Sequence, residues 1–250
     1  MKTSIFYMVN ASLYFYFDGT GILVDGVHEG RKKGFSPMPL RTDHDLRMHT
    51  GIFSDLRGAL FTHLHDDHFD RRRLDYLMQF SGRLSVYGPN LPVSNIHSVP
   101  SGSGLVSFMI ENTRILSIPN THDGEIYRDE PHRSLFLSSG KESFFVAGDA
   151  ILDPDELSVF QNDLPSSVTA AFINMFQASS PEGREYLRRL KPERVFLYHL
   201  PFREDDEANY WRWAKQLVRK WPSDLPELEI PEQMNWIEDN RILRDLRKII

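Results

Sequence analysis

The stretch Thr62-His63-Leu64-His65-Asp66-Asp67-His68 places three imidazoles and a carboxylate in the pattern H-x-H-x-D-H. It continues a short apolar run that begins at Gly58, which is typical of a strand, and Asp70 just beyond it can cap a helix. Structural histidines do not usually crowd in this way. The motif therefore predicts a metal site between a strand and a helix.

The spacing within this motif can serve two metal ions. His63 and His65 stand two residues apart on an extended segment, so both side chains can turn toward one ion. Asp67 and His68 lie at the turn that follows, where they can address a second ion. Neutral imidazole and carboxylate suit zinc, with manganese or iron as alternatives. One loop cannot complete two coordination spheres, so further ligands must come from elsewhere in the chain.

Three candidate ligands stand at the ends of other strand-like runs. His122, Asp149 and His199 each follow directly after a mainly apolar segment. Taken singly, each is equally compatible with a hydrogen-bonded core histidine or a helix-capping aspartate. Following H-x-H-x-D-H in the same chain, the three together indicate the missing ligands.

In their order, these motifs resemble the metallo-β-lactamase superfamily. Its members carry an aspartate that ends an early strand, then H-x-H-x-D-H, a lone histidine, Gly-Asp and a final histidine. This chain shows the series as Asp25, residues 63–68, His122, Gly148-Asp149 and His199. The resemblance spans residues 22 to 199 and implies an α+β fold, a four-layer αββα sandwich with the site at one edge of its two sheets.

The resemblance also implies a role for each of these residues. It implies two ligand sets that share one carboxylate: His63, His65 and His122 for the first metal, Asp67, His68 and His199 for the second, and Asp149 as the bridge. Asp25 would order the ligand loop without binding a metal itself, and a simple turn aspartate is the alternative for this residue.

Within the superfamily, two short sequences narrow the resemblance. Asn-Thr-His-Asp-Gly-Glu around His122 and Ala-Gly-Asp-Ala around Asp149 look most like the group that contains L-ascorbate 6-phosphate lactonase and N-acyl-phosphatidylethanolamine phospholipase D. Other branches fit less well. The chain has no cysteine for the cysteine ligand of many true β-lactamases, and His65 stands where the flavodiiron oxygen reductases carry Glu.

A centre of this kind predicts hydrolysis. Two ions about 3.5–4 Å apart would lower the pKa of a bridging water to about 7 and would clamp a substrate oxygen. Esters, lactones, amides and phosphodiesters all remain open as substrates. Besides binding metal, Asp67 is expected to orient the hydroxide and to carry a proton to the leaving group.

Several residues are candidates for substrate binding. Arg31, Lys32 and Lys33 lie in a long irregular loop, and Arg71 begins the helix after the metal motif, where its charge opposes the helix dipole. These residues suggest an anionic substrate, and side chains splayed into water are the alternative. His132 starts a predicted strand and could face the substrate, or it could serve the structure alone.

Two further stretches carry expectations about the fold. Residues 4–25 are rich in aromatic and β-branched residues and predict two strands joined at Asp18-Gly19-Thr20-Gly21. Residues 26–57 are expected to be irregular, and residues 168–176 to form a strand. The apolar part of the first stretch is too short and too interrupted to span a bilayer and lacks a cleavage site, so a cytoplasmic location is expected.

Composition restricts the partners of the chain. The 250 residues include no cysteine, which excludes disulfides. The sequence shows no internal repeat or linker, so one domain over residues 1–250 is expected. A net charge of −6 gives no global attraction for phosphate backbones, which disfavours nucleic-acid partners.

Three classes of function therefore remain. They are a hydrolase of small molecules, a nuclease or phosphodiesterase acting on RNA or DNA, and a non-catalytic metal-binding protein. The full ligand set argues against the third class, and the lack of a basic insert argues against the second. The sequence thus favours a metal-dependent hydrolase, with two ions, of a small anionic ester, lactone or phosphodiester.

Overall fold

The computed structural model describes residues 3–30, 34–91 and 104–237, together with the backbone of a strand at 97–99. Within these residues the strands form two seven-stranded sheets. Each sheet has an antiparallel part and a parallel part.

The first sheet comes mainly from the N-terminal part of the chain. In spatial order its strands are β14 (Asn235–Ile237), β1 (Thr3–Tyr7), β2 (Leu13–Phe17), β3 (Thr20–Val24), β4 (Leu56–Leu60), β5 (Ser85–Pro89) and β6 (His97–Val99). Strands β14 to β3 pair antiparallel, and β3 to β6 pair parallel. The pairing changes from antiparallel to parallel at β3. β3 leads into Asp25, and β4 leads into the metal motif.

The second sheet repeats this arrangement with later strands. In spatial order they are β13 (Leu228–Glu229), β12 (Val195–Leu197), β11 (Ala170–Ile173), β10 (Glu142–Val146), β9 (His132–Ser139), β8 (Thr113–Asn120) and β7 (Val106–Ile110). Strands β10 to β13 are parallel, and β7 to β10 are antiparallel.

Helices connect and cover the sheets. In the described residues these are α1 (Leu40–Arg47), α2 (Arg71–Gln79), α3 (Pro154–Val159), α4 (Met175–Ser179), α5 (Pro181–Leu190) and α6 (Tyr210–Arg219). The side chains of Asp70, Asp153 and Ser180 cap α2, α3 and α5, each accepting a backbone N–H of the first turn. Each such cap stabilises its helix by about 1 kcal/mol.

Alternation of side chains along the strands produces four layers. Phe15 and Phe144 pack between the two sheets, with ring centroids 5.6 Å apart. Their neighbours point outward: Tyr14 packs in the cluster that holds the buried faces of α1 and α2, and Phe145 stacks on Tyr186 of α5. Two sheets enclosed by helices confirm the expected α+β αββα sandwich.

Two local expectations were wrong because short turns interrupt apolar runs. Residues 4–25 form three strands instead of two, since a turn at residues 8–12, with Asn10 at a left-handed φ of 52°, separates β1 from β2. The strand expected over 168–176 ends at Ile173, because Asn174 and Gln177 form a capping box that starts α4.

The expected irregular stretch over 26–57 also contains regular structure, namely α1 and a 3₁₀ turn at Gly51–Phe53. Leu46 of α1 is buried against the first sheet, which explains why a helix forms there. Across the part of the chain that the structure describes, no helix has the length and apolar character needed to cross a bilayer.

Candidate metal centre

The ends of strands from both sheets meet at one edge of the sandwich. β3 and β4 lead into Asp25 and residues 62–68, while β10 and β12 lead into Asp149 and His199. β8 runs in the same direction as β10, since each is antiparallel to the β9 strand between them, and it leads into His122. Because strands that run in one direction end at the same edge, the candidate ligands come together there.

The structure gathers the seven candidate ligands into two groups of donors. Within each group, one donor atom per residue lies within 4.8 Å of all the others: His63, His65 and His122 in the first group, and Asp67, His68, Asp149 and His199 in the second. In the first group Nε2 of His63 is 3.1 Å from Nδ1 of His65. In the second, Nε2 of His199 is 2.9 Å from Nε2 of His68.

Asp149 faces both groups. Its Oδ2 atom lies 3.8 Å from Nε2 of His63 and 3.9 Å from Nε2 of His122. The same oxygen lies 3.5 Å from Nε2 of His68 in the second group. A single carboxylate thus stands between two sets of imidazoles.

The donors suit two divalent cations. Nε2 of His122 is buried and has no hydrogen-bond partner among the described residues. Burying a polar nitrogen without a partner is costly, and a cation shared by the converging ring nitrogens would compensate this cost. All seven donors are imidazole or carboxylate, the set that zinc prefers and that manganese and iron accept.

Asp25 fixes the orientation of two of these histidines. Its Oδ1 accepts the Thr62 N–H at 2.8 Å, and its Oδ2 accepts the Thr62 hydroxyl at 2.7 Å. The same Oδ2 is 3.0 Å from Nδ1 of His68, and the Thr62 hydroxyl oxygen is 3.0 Å from Nδ1 of His63. With their Nδ1 atoms held in this way, His63 and His68 present Nε2 to the cluster.

Charges within the cluster shift the pKa of its members. Burial disfavours a charged His68, but Asp25 and Asp149 outweigh burial and hold its pKa well above the usual range. Burial, reinforced by His68, pushes the pKa of His63 well below its usual range. Burial alone would raise the pKa of Asp149, yet His199 and His68 hold it well below the usual value. The Asp149 carboxylate is therefore anionic.

His132 supports Asp149 from beneath the cluster. The Asp149 N–H donates to Nε2 of His132 at 2.9 Å, and His132 is buried. Gly148, the residue before Asp149, adopts a φ of 61°. A Cβ on Gly148 would lie 2.6 Å from Nε2 of His132 and 2.7 Å from the Thr62 hydroxyl oxygen. Only glycine fits at this position. Of the two roles considered for His132, substrate binding and a purely structural role, this hydrogen bond favours the structural one, which is to hold the Gly148-Asp149 backbone.

Two residues that sequence reasoning missed also hold Asp149 in place. Asn174 Nδ2 donates to Oδ1 of Asp149 at 3.0 Å. Gln177 Nε2 donates to the carbonyls of Gly148 and Ala150 at 3.0 and 2.9 Å. The signal that could have found both is the Asn-x-x-Gln spacing of their capping box, which lies at the end of the strand expected over 168–176.

Comparison with solved structures identifies the fold of this chain. No family model matches the chain, and no curated protein is similar to it in sequence. The solved structure of CmlA, a diiron β-hydroxylase from Streptomyces venezuelae, is similar with a TM-score of 0.66 and 16% identity over 95% of this chain. Only 54% of CmlA is covered, so this chain spans about half of its length.

Two other solved structures match along nearly their whole length. A "possible metal-dependent hydrolase" from Veillonella parvula has a TM-score of 0.65 and 14% identity, covering 95% of this chain and 99% of that one. The metallo-β-lactamase fold protein YhfI from Bacillus subtilis has a TM-score of 0.58 and 12% identity, covering 94% of this chain and 97% of that one. This chain has the metallo-β-lactamase fold.

In this metallo-β-lactamase fold, a cleft of about 320 Å³ opens over the donor cluster. Five of the seven candidate ligands line it. The remaining walls are Phe35, Asp123, Gly124, Tyr127, Asn174, Met175, Phe176 and Tyr210. Four of these are aromatic residues that sequence reasoning did not select, because they come from four separate segments.

Arg71, a candidate for substrate binding, does not line this cleft. Arg71 is exposed, and its Nε donates to Asp75 at 2.9 Å. Arg73, two residues later, pairs with Asp43. Arg71 and Arg73 thus pair with carboxylates of the chain itself. Residues 31–33, Arg31, Lys32 and Lys33, lie outside the described residues.

Proposed function

We propose that this protein is a metal-dependent hydrolase of the metallo-β-lactamase superfamily that cleaves a small ester, lactone or phosphodiester. The observation that supports it best is the position of Asp149 between two groups of imidazoles, with Oδ2 at 3.5 Å from His68 and 3.8 Å from His63. One carboxylate shared by two such donor groups is the arrangement that a pair of divalent ions requires.

Each ligand group has a proposed ion. His63, His65 and His122 would hold the first, Asp67, His68 and His199 the second, and Asp149 would bridge them, with zinc as the proposed metal and manganese or iron as alternatives. When bound, such a pair supplies Lewis acidity and a water of lowered pKa.

Asp67 is the proposed proton carrier. Its Oδ2 lies 3.7 Å from Nε2 of His68 and 3.5 Å from Nε2 of His199, and the residue lines the cleft. A carboxylate in this position contacts both the second donor group and the space that a substrate would enter. It can therefore hold a proton and pass it to the leaving group.

The proposal that the substrate carries a negative charge depends on three basic residues that precede Phe35 in the sequence. Arg31, Lys32 and Lys33 stand directly before Gly34-Phe35, and Phe35 lines the cleft. We propose that they bind an anionic substituent. The motifs around His122 and Asp149 likewise support, as a proposal, kinship with the lactonase and phospholipase D group.

A metal-reconstitution screen tests the proposed function. The protein is stripped with a chelator, reloaded in turn with zinc, manganese and iron(II), and assayed on small esters, lactones, phosphodiesters and RNA over a salt series. We expect turnover of at least one small substrate that depends on metal and only weakly on salt. Turnover of RNA alone, falling steeply with salt, would instead identify a nuclease. Two bound ions without any turnover would identify a non-catalytic metal-binding protein.

The same screen tests the basic run. A variant with Arg31, Lys32 and Lys33 replaced by Ala should show a raised KM for phosphorylated or carboxylated substrates and an unchanged KM for neutral ones. An unchanged KM for both would remove this run from the substrate site.

A further inference from the structure

Aromatic rings from four separate segments converge on the cleft. Phe35 belongs to the loop before α1, Tyr127 to the 3₁₀ turn Glu125–Tyr127, Phe176 to the first turn of α4, and Tyr210 to the start of α6. Phe176 is 46% exposed and Tyr127 36% exposed. Large apolar side chains left open to solvent around a concave site are characteristic of a ligand-binding surface.

The rings are distributed unevenly over the two donor groups. The Tyr127 ring lies beside the first group, with its centroid 4.7 Å from that of His65. Phe35 lies beside the second group, 5.1 Å from His199 and 6.3 Å from Tyr210. The His199 end of the cleft therefore has the larger aromatic wall.

Phe176 also belongs to this wall, and its ring packs against α6. Its ring meets Trp213 of α6 edge-on, with centroids 5.2 Å apart. Trp213 lies one helical turn beyond Tyr210, so α6 supports two of the rings at once. A wall built on packed helices is rigid enough to select the shape of what binds against it.

Beside these rings, the described lining residues offer an anion no cationic side chain to pair with. The lining residues that the structure describes include the carboxylates Asp67, Asp123 and Asp149 and no lysine or arginine. A neutral planar group can bury its faces against the rings without meeting a repulsive charge. The cleft volume of about 320 Å³ is enough for a ring together with the group that is cleaved.

We propose that the substrate carries a neutral aryl or similarly planar apolar group that packs against Phe35, Phe176 and Tyr210 at the His199 end of the cleft. This rests on the proposed function, because it names the substrate class of the same site.

Binding of hydroxamates to the zinc-loaded protein tests the proposal without requiring turnover. Acetohydroxamate and benzohydroxamate share one metal-binding group and differ by the ring, and succinic monohydroxamate adds a carboxylate instead. By calorimetry, we expect benzohydroxamate to bind about tenfold more tightly than acetohydroxamate, because the ring contacts the aromatic wall. The anionic compound has no ring and should gain nothing from the aromatic wall, and any gain it shows should disappear when Arg31, Lys32 and Lys33 are replaced by Ala.

Variants of the aromatic wall then test whether these rings cause the tighter binding of benzohydroxamate. Phe176→Ala should reduce the preference for the aryl compound to about threefold or less, and Phe35→Leu provides a second variant that keeps a side chain of similar volume. Phe80→Ala is the matched control, since Phe80 is 56% exposed at the end of α2 and does not line the cleft. Thermal melting confirms that each variant is folded.

Two results would overturn the proposal: equal binding of the aryl and methyl compounds, or equal effects of Phe176→Ala and Phe80→Ala. In each of these the hydroxamates still bind, so the metal centre stands. If no hydroxamate binds the zinc-loaded protein, the metal-dependent function fails and the substrate class fails with it.

Discussion

Oδ2 of Asp25 lies 3.0 Å from Nδ1 of His68, on the opposite side of the ring from Nε2, which faces His199. A carboxylate on the outer nitrogen of a metal-binding histidine fixes the tautomer and raises the basicity of the ligand. Asp25 also accepts two hydrogen bonds from Thr62, so it links the end of β3 to the motif that follows β4.

We therefore expect Asp25→Asn to weaken metal binding by about 10- to 100-fold while the protein stays folded. The affinity for zinc is measured by competition with a chromophoric chelator. Asp18→Asn is the matched control, because Asp18 is exposed and has the same left-handed φ of 49° at the end of the neighbouring strand. Equal affinities in all three proteins would show that Asp25 is only a turn residue.

His132 is expected to act through the backbone of Asp149. His132→Phe keeps a ring but leaves the buried Asp149 N–H without its acceptor, which costs about 1–3 kcal/mol of unfolding free energy. His132→Gln offers an oxygen in place of Nε2 and should recover part of this loss. Urea denaturation of the metal-free protein provides the measurement. If both variants lose the same stability, packing of the ring and not the hydrogen bond explains the role of His132.

Gly148 should tolerate no side chain. In Gly148→Ala the new Cβ would overlap Nε2 of His132 and the Thr62 hydroxyl, in addition to occupying a φ of 61°. Gly19→Ala separates the two causes, because Gly19 has a φ of 91° with no heavy atom within 4 Å of the position that a Cβ would take. We expect a loss of about 1 kcal/mol for Gly19→Ala and a larger loss, together with lost metal content, for Gly148→Ala. Equal stabilities of the two variants would refute the close packing at Gly148.

Asp67→Asn should remove most hydrolysis without unfolding the protein. The amide takes away both an anionic ligand and a proton acceptor, so kcat should fall by at least about 100-fold. Asp66→Asn is the control, since Asp66 is the adjacent residue and is exposed. Steady-state kinetics on a substrate found in the screen, with melting curves for both variants, provide the measurement. Near-normal turnover in Asp67→Asn would show that Asp67 neither carries the proton nor is required as a ligand.

The sequence selects the residues of the donor cluster where the signal is local. The H-x-H-x-D-H motif lies within residues 63–68, and His122, Asp149 and His199 each end an apolar run, so pattern and order were enough to select them. The four-layer fold followed from the same order of motifs.

Other parts of the site depend on contacts that no local pattern reveals. His132 lies beneath Asp149 because the start of β9 pairs beside the end of β10, and Phe35 and Tyr210 meet although 175 positions separate them. Such pairings depend on tertiary structure, which composition and spacing do not determine.

The most direct test of the account is anomalous diffraction, at the metal absorption edge, from crystals of the metal-loaded protein. We predict two peaks about 3.5–4 Å apart per chain. One should lie among His63, His65 and His122, the other among Asp67, His68 and His199, with Asp149 between them. A single peak, or peaks remote from these residues in an intact metal-loaded protein, would contradict the dinuclear centre on which the proposed hydrolase function depends.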